Sequence, residues 1–157
     1  MAVLLGQVGE QRSNQRKTLG VIVDREVRDL VVAAYAGPVS LGTAEVLRAR
    51  TAREQYALAA DPEATPVAAR SFSRAERLIV RIPVFTSGEA PVVSARLVSS
   101  FGGVMRQLTA SPTPSRPDVF QFDFPLAALA AGAYSVELRA STSGGEARDS
   151  LPIRVTP

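Results

Sequence analysis

The chain has 157 residues, of which 46% are hydrophobic, and a formal net charge of +3. This length fits one domain, or one domain with a substantial extra element, and such a chain can bury a core without covalent cross-links. Cysteine and histidine are absent, which excludes disulfides, Ser-His-Asp and Cys-His catalytic groups, and ordinary structural zinc sites.

The first 37 residues contain short apolar stretches separated by a polar loop. Residues 9–18 are polar and turn-like, whereas residues 19–23 and 30–32 are apolar enough for short strands. A two-stranded piece is marginal alone in water. We therefore expect residues 1–37 to be the tail of a preceding domain, with weak self-association through these strands. A domain boundary near Pro38 follows, and Met1 need not be the natural start of the protein.

A short helix is predicted over residues 52–60. Thr51 and Glu54 have the spacing of a capping box, in which a hydroxyl caps the helix and a carboxylate three residues later reaches back. Asp61 and Pro62 end the apolar run that follows.

Five segments after the helix alternate apolar and polar residues with a period of two, which predicts half-buried antiparallel strands. The outward positions of the first segment include Arg77 and Arg81, and we expect both to lie on a solvated face. Turns recur between the segments: residues 99–103 are predicted to form a hairpin turn whose two glycines can take positive φ, and residues 110–117 a stiff exposed loop. The predicted inward residues are Leu78, Val80, Ile82 and Val84; Val93, Ala95 and Leu97; Phe120, Phe122 and Phe124; Tyr134, Val136 and Leu138; and Leu151, Ile153 and Val155.

The spacing of Leu129, Gly132 and Tyr134 is that of a tyrosine corner. In this motif of immunoglobulin-like sandwiches, a tyrosine near the start of the sixth strand hydrogen-bonds back across the corner. We expect the leucine to fill the core, the glycine to permit the tight corner and the tyrosine to close it. The sequence thus predicts an all-β protein: an immunoglobulin- or fibronectin-like antiparallel β-sandwich over residues 38–157, with one short helix and an N-terminal strand extension.

No set of residues predicts catalysis or a bound cofactor or metal. Asp118 and Asp123 could in principle form an acid–base pair, but their strand positions favour solvated surface. Lys17 lies in a polar loop where nothing suggests a lowered pKa. The sequence contains no phosphate-binding glycine loop and no calcium-binding loop. We therefore predict a protein that is not an enzyme, with no catalytic, cofactor or metal site.

The charge distribution bears on partners. All but one of the 18 basic residues are arginines, and most fall opposite the apolar strand face, beside acidic residues such as Glu76 and Glu89. This pattern is typical of a solvated face, and the aromatic residues lie inward instead of forming a stacking platform. We expect no nucleic-acid partner, and no membrane insertion because no uncharged apolar run is long enough.

Several short motifs follow one another between Val39 and the C-terminus: residues 41–43, 47–54, 71–74, 76–81, 94–97, 102–105, 125–126, Leu129, Gly132, Tyr134 and 152–155. In these residues the chain resembles the C-terminal immunoglobulin-like accessory module of von Willebrand factor A-related exported proteins of acidobacteria. The Asp-x-Ser-x-Ser run of a von Willebrand factor A metal site is missing, so the resemblance implies no metal ligands. It implies an accessory sandwich belonging to a longer exported protein, periplasmic or extracellular, whose leader this chain lacks.

Two functions remain open from the sequence. The first is a non-catalytic immunoglobulin-like structural or protein-interaction module of the bacterial cell envelope or of a secreted protein, with a protein partner or a preceding domain as its contact. The second is a carbohydrate- or peptide-binding sandwich, for which Phe85 and Phe101 are the aromatic candidates off the core face. An apolar plug that anchors its turn is the alternative role for Phe101.

Overall fold

The computed structural model describes residues 37–157. The predictions for residues 1–36, including the N-terminal strands and Lys17, lie outside the described residues. Within 37–157 the chain forms ten strands and one helix in this order: β1 Val39–Leu41, β2 Glu45–Ala49, α1 Ala52–Ala60, β3 Ser71–Ser73, β4 Arg77–Thr86, β5 Val92–Ser99, β6 Val104–Leu108, β7 Ser111–Thr113, β8 Arg116–Pro125, β9 Gly132–Thr142 and β10 Gly145–Thr156.

The strands form two five-stranded sheets. Sheet 1 has the order β1-β4-β8-β7, with β2 also paired to β4, and sheet 2 has the order β3-β10-β9-β5-β6. Cross-strand pairs such as Val80 with Phe122 and Leu97 with Val136 place the predicted inward residues on facing surfaces. These residues pack into one apolar core between the sheets. The predicted immunoglobulin-like β-sandwich with one short helix is confirmed.

One strand pair departs from the predicted antiparallel arrangement. β3 pairs parallel to the end of β10, with Phe72 opposite Val155. The paired residues are 83 positions apart in sequence, so no hairpin dictates the relative direction of the two strands. Phe72 is only 1% exposed, and its burial in the core favours this pairing.

The tyrosine corner forms as predicted. The hydroxyl of Tyr134, at the start of β9, donates a hydrogen bond of 3.0 Å to the carbonyl oxygen of Ala130. Leu129 is buried in the core, as expected. The expected role of Gly132 is wrong, because a Cβ there would meet only a Tyr134 ring atom at 3.9 Å and its φ is not positive. The corner therefore depends on the leucine and the tyrosine.

The expected loop over residues 110–117 is a hairpin instead. β7 pairs with β8, and Ser115 takes a φ of 58° in the turn between them. Proline lacks an N–H donor and is tolerated in strands at a sheet edge. Pro112 lies in β7, which ends the order of sheet 1, so the prolines of this segment are compatible with a strand.

The helix begins and ends where the sequence predicts. The side chain of Thr51 accepts a hydrogen bond from the backbone N–H of Glu54 at 3.1 Å. The Glu54 carboxylate in turn accepts from the backbone N–H of Arg50, one residue before the cap, at 2.7 Å. The box is therefore reciprocal but reaches one residue further than the standard motif.

Helix α1 covers the outer face of sheet 1. Leu47 and Ile79 point to this face and are buried together with Ala64 in a small second core, against which Leu58 and Ala59 of the helix pack. Apolar side chains on both faces of β4 explain the uninterrupted run of apolar residues 78–80, which alternation alone does not. The helix thus gives sheet 1 a third layer.

The expectation that Arg81 lies on a solvated face is wrong. Arg81 does point outward from the sandwich, but it is 0% exposed. Its Nη2 donates to the carbonyl oxygen of Leu58 at 2.8 Å, and its Nε donates to Oε1 of Gln121 at 3.2 Å. The last carbonyls of a helix have no partner within the helix and attract positive charge. Arg81 supplies that partner and charge from the sheet below.

Two neighbouring side chains complete this polar contact. Gln121 Nε2 donates to the Ala59 carbonyl at 3.3 Å, and Arg116 Nη1 donates to the Pro62 carbonyl at 3.3 Å. Burial, followed by the positive charge of Arg116, lowers the pKa of Arg81. A guanidinium starts from so high a pKa that it stays protonated in proteins, so Arg81 fastens the helix as a cation.

Candidate interaction surface

The turn between β5 and β6 holds one aromatic side chain away from the protein. The Ser99 N–H donates to the Gly103 carbonyl at 2.9 Å, and the Gly102 N–H donates to the Ser99 carbonyl at 2.9 Å. Gly102 has a φ of +82°, whereas Gly103 does not take positive φ, so only one of the two predicted glycines does. Phe101 lies within this turn and is 98% exposed. It does not plug the turn.

Strand β6 continues the apolar surface from the turn. Val104 is 48% exposed and Met105 is 52% exposed. The register between β5 and β6 shifts between Leu97 and Val98, which leaves Met105 without a direct partner. Of the six large hydrophobic side chains exposed among the described residues, three are Phe101, Val104 and Met105. Solvent-exposed apolar side chains thus concentrate at this hairpin.

Arg106 is the charged residue of this strand. It pairs with Leu97, which is buried in the core, so Arg106 points to the same side of sheet 2 as the core residues. It is nevertheless exposed. Within residues 37–157, Arg106 makes no ion pair and no side-chain hydrogen bond. We call Phe101, Val104, Met105 and Arg106 the β6 edge.

The outer face of sheet 2 carries a shallow polar groove of about 760 Å³. Charged side chains across this face pair with each other: Arg96 with Glu137, and both Arg139 and Arg148 with Glu146. The hydrogen bond from Arg148, together with the charges of both arginines, lowers the pKa of Glu146 against the opposing effect of desolvation. Because Glu137 and Glu146 have guanidinium partners and Asp149 accepts a hydrogen bond from the Ser150 N–H, most of the charge on this surface is already paired.

Asp118 and Asp123, the two carboxylates considered as a possible acid–base pair, are not in contact. Asp118 and Asp123 lie five residues apart on β8, which is roughly 17 Å along an extended strand, and an odd spacing puts them on opposite faces. Asp123 forms an ion pair with Arg77 at 3.0 Å and accepts a hydrogen bond from Gln55 of the helix. It therefore serves the contact between helix and sheet.

The aromatic candidates for ligand binding also lie apart. Phe85 lies in β4 of sheet 1, beside Gly42, and is 45% exposed, whereas Phe101 belongs to sheet 2. Tyr56, which the sequence analysis did not single out, is 71% exposed on helix α1. These three rings do not form a common platform.

Val104, Met105 and Arg106 were missed as functional candidates. In the sequence, residues 104–108 have only the pattern of a strand that returns from the turn at 99–103. A signal was present, because residues 104–107 break the period-two alternation with two adjacent apolar residues.

Among the described residues, no group of three or more Asp and Glu side chains is placed to hold a metal ion. In the same part of the chain, α1 is too short to cross a membrane.

No family model matches the chain, and no curated protein matches it. Among solved structures, it is similar to the crystal structure of CopC from Methylosinus trichosporium OB3b, with 23% sequence identity and a TM-score of 0.38. The match covers 50% of this chain and 76% of that one.

Proposed function

We propose that residues 38–157 form a non-catalytic immunoglobulin-like module that binds a protein partner through the β6 edge. The observation that carries this proposal is the concentration of exposed Phe101, Val104 and Met105 on one hairpin. Exposed apolar side chains that lie next to each other are typical of interaction sites, whereas scattered ones are ordinary. Aromatic residues and methionine are also enriched in protein interfaces.

The rigid framework behind the hairpin supports this role. Strand β5 is paired on its other side to β9, which is paired in turn to β10. The hairpin therefore extends a continuous sheet whose inner face belongs to the core. A contact residue on such a base loses little conformational freedom on binding, which favours affinity.

Binding of carbohydrate is the less supported function. Sugar sites use aromatic rings as platforms, and the exposed rings here lie on α1, on sheet 1 and on sheet 2. A location in the cell envelope or in a secreted protein is part of our proposal, and its support is the resemblance to accessory modules of von Willebrand factor A-related exported proteins.

Site-specific photocrosslinking tests the function. The photoreactive amino acid p-benzoylphenylalanine replaces Phe101 in one variant and Tyr56, an exposed aromatic on the helix, in a matched control. Each is irradiated in an extract of the organism that encodes the chain. We expect discrete protein adducts at position 101 that excess unmodified chain suppresses, and none at position 56. Absence of adducts at 101, or equal labelling at both positions, would overturn the proposal.

A further inference from the structure

We propose that the β6 edge takes up an extended segment of a partner protein as an added strand, with an acidic residue of that segment opposite Arg106. This inference rests on the proposed function and specifies its partner and its mode of binding.

The backbone of β6 is available for pairing. Among residues 37–157, β6 is the terminal strand of sheet 2 and its one strand partner is β5. A terminal strand presents a row of N–H and C=O groups that another chain can use as a template. Addition of a strand to such an edge derives affinity from backbone hydrogen bonds and specificity from the side chains beside them.

The side chains of β6 define what the added segment must carry. Val104 and Met105 are each about half exposed, and apolar residues of the segment would cover them. Arg106 lies next to them without an ion pair among the described residues. An opposite charge directly across a strand pair is favourable, so the segment that fits this edge combines an Asp or Glu with apolar neighbours.

A second copy of the chain fits the edge less well. Antiparallel pairing of β6 with its own copy along all five residues, Val104–Leu108, is centred on residue 106. That pairing sets the two Arg106 side chains directly opposite each other, and like charges in this position destabilise a strand pair. A charge on an edge strand that points toward the inner side also discourages edge-to-edge aggregation. Arg106 therefore favours an acidic foreign segment over self-association.

Peptide selection with the whole chain tests the inference. A phage-displayed library of random 12-residue peptides is selected on the immobilised wild-type chain, on Arg106→Glu and on a matched control, Arg53→Glu, which reverses an exposed charge on helix α1. We expect peptides selected on the wild type and on Arg53→Glu to be enriched in Asp or Glu between apolar residues. Peptides selected on Arg106→Glu should carry Lys or Arg at that place instead.

Synthetic peptides from the selection then locate the site. In backbone-amide NMR spectra of the wild type, they should shift the signals of residues 101–108, and their affinity for Arg106→Glu should fall about two- to fivefold, as expected for one cross-strand charge pair. Failure to enrich acidic peptides, or shifts confined to other strands, would overturn the inference. Concentration-dependent shifts of residues 104–108 without peptide would overturn it in favour of a second copy.

The two proposals can fail separately. Crosslinking at position 101 together with peptide shifts outside β6 would leave a protein-binding module that does not use strand addition. Loss of crosslinking at position 101 would remove the proposed function itself.

Discussion

Replacement of Arg81 by alanine should be among the most damaging single substitutions in this domain. Arg81 is fully buried and contacts both the helix and β8. Two of its hydrogen bonds have ordinary lengths, 2.8 Å to the Leu58 carbonyl and 3.2 Å to Gln121, and we attribute the stabilisation to these two. The contacts to the Ala59 and Pro62 carbonyls are 3.5 Å long and weaker. The substitution removes the donor to the Leu58 carbonyl and to Oε1 of Gln121, whereas the Ala59 and Pro62 carbonyls keep donors in Gln121 and Arg116.

The expected loss follows from the two short bonds. A hydrogen bond to a charged group contributes about 1.5–3 kcal/mol net. We therefore expect Arg81→Ala to reduce the free energy of unfolding by about 3–6 kcal/mol, a large share of the roughly 5–15 kcal/mol typical of a domain. Arg81→Lys keeps the charge but not the planar fork of donors, so it should recover only part of the loss.

Urea unfolding of the wild type, Arg81→Ala and Arg81→Lys, followed by far-UV circular dichroism, measures this loss. Arg77→Ala is the matched control: Arg77 lies four residues earlier on the same face of β4, and its ion pair with Asp123 is partly exposed. A surface ion pair of this kind contributes about 0–1 kcal/mol. If Arg81→Ala costs no more than Arg77→Ala, then Arg81 does not fasten the helix and our account of the third layer is wrong.

Three further substitutions test the corner, the helix cap and one carboxylate. Tyr134→Phe should lower the free energy of unfolding by about 1 kcal/mol, because the carbonyl of exposed Ala130 can bond to water instead, and Tyr56→Phe should leave the urea midpoint unchanged. Thr51→Ala should cost about 1 kcal/mol and speed amide exchange in α1, whereas Thr51→Asp should not. Hydrogen bonds from the Ser143 hydroxyl and N–H lower the pKa of Glu89. The stability that this contact contributes is therefore present above the usual glutamate pKa and is lost as the pH falls through the lowered pKa. Ser143→Ala should raise the pKa of Glu89 in an NMR titration, and an unchanged pKa would contradict this assignment.

The sandwich was predictable because its strands bury one face against a single core. Where the opposite face meets water, as in β9 with Tyr134, Val136 and Leu138 inward, period-two alternation predicts both the strand and its orientation. The tyrosine corner was predictable for a similar reason, since its leucine, turn and tyrosine are close in sequence. Local patterns are sufficient when the structure they specify is local.

Arg81 shows where this reasoning stops. Alternation places Arg81 correctly on the outer face of β4, but it does not predict that the outer face is covered. The covering layer comes from α1, and the contact joins residues 23 positions apart in sequence. The adjacent apolar residues Leu78, Ile79 and Val80 did indicate that both faces of β4 are buried. An arginine in such a strand needs buried acceptors, and the end of a helix offers them.

The outer faces of the two sheets support our proposal that a partner binds at the β6 edge. Sheet 1 carries Leu47 and Ile79 outward and requires the helix to cover them. The outer face of sheet 2 carries ion pairs such as Arg96 with Glu137, and a charged face of this kind is stable in contact with water. The apolar residues on the outer face of sheet 1 are covered, and many of the charges on the outer face of sheet 2 are paired. The β6 edge, in contrast, combines exposed apolar side chains, an arginine without an ion pair among residues 37–157, and a terminal strand. We therefore expect a partner to bind at this edge, where reversal of one charge, at Arg106, can test the proposal.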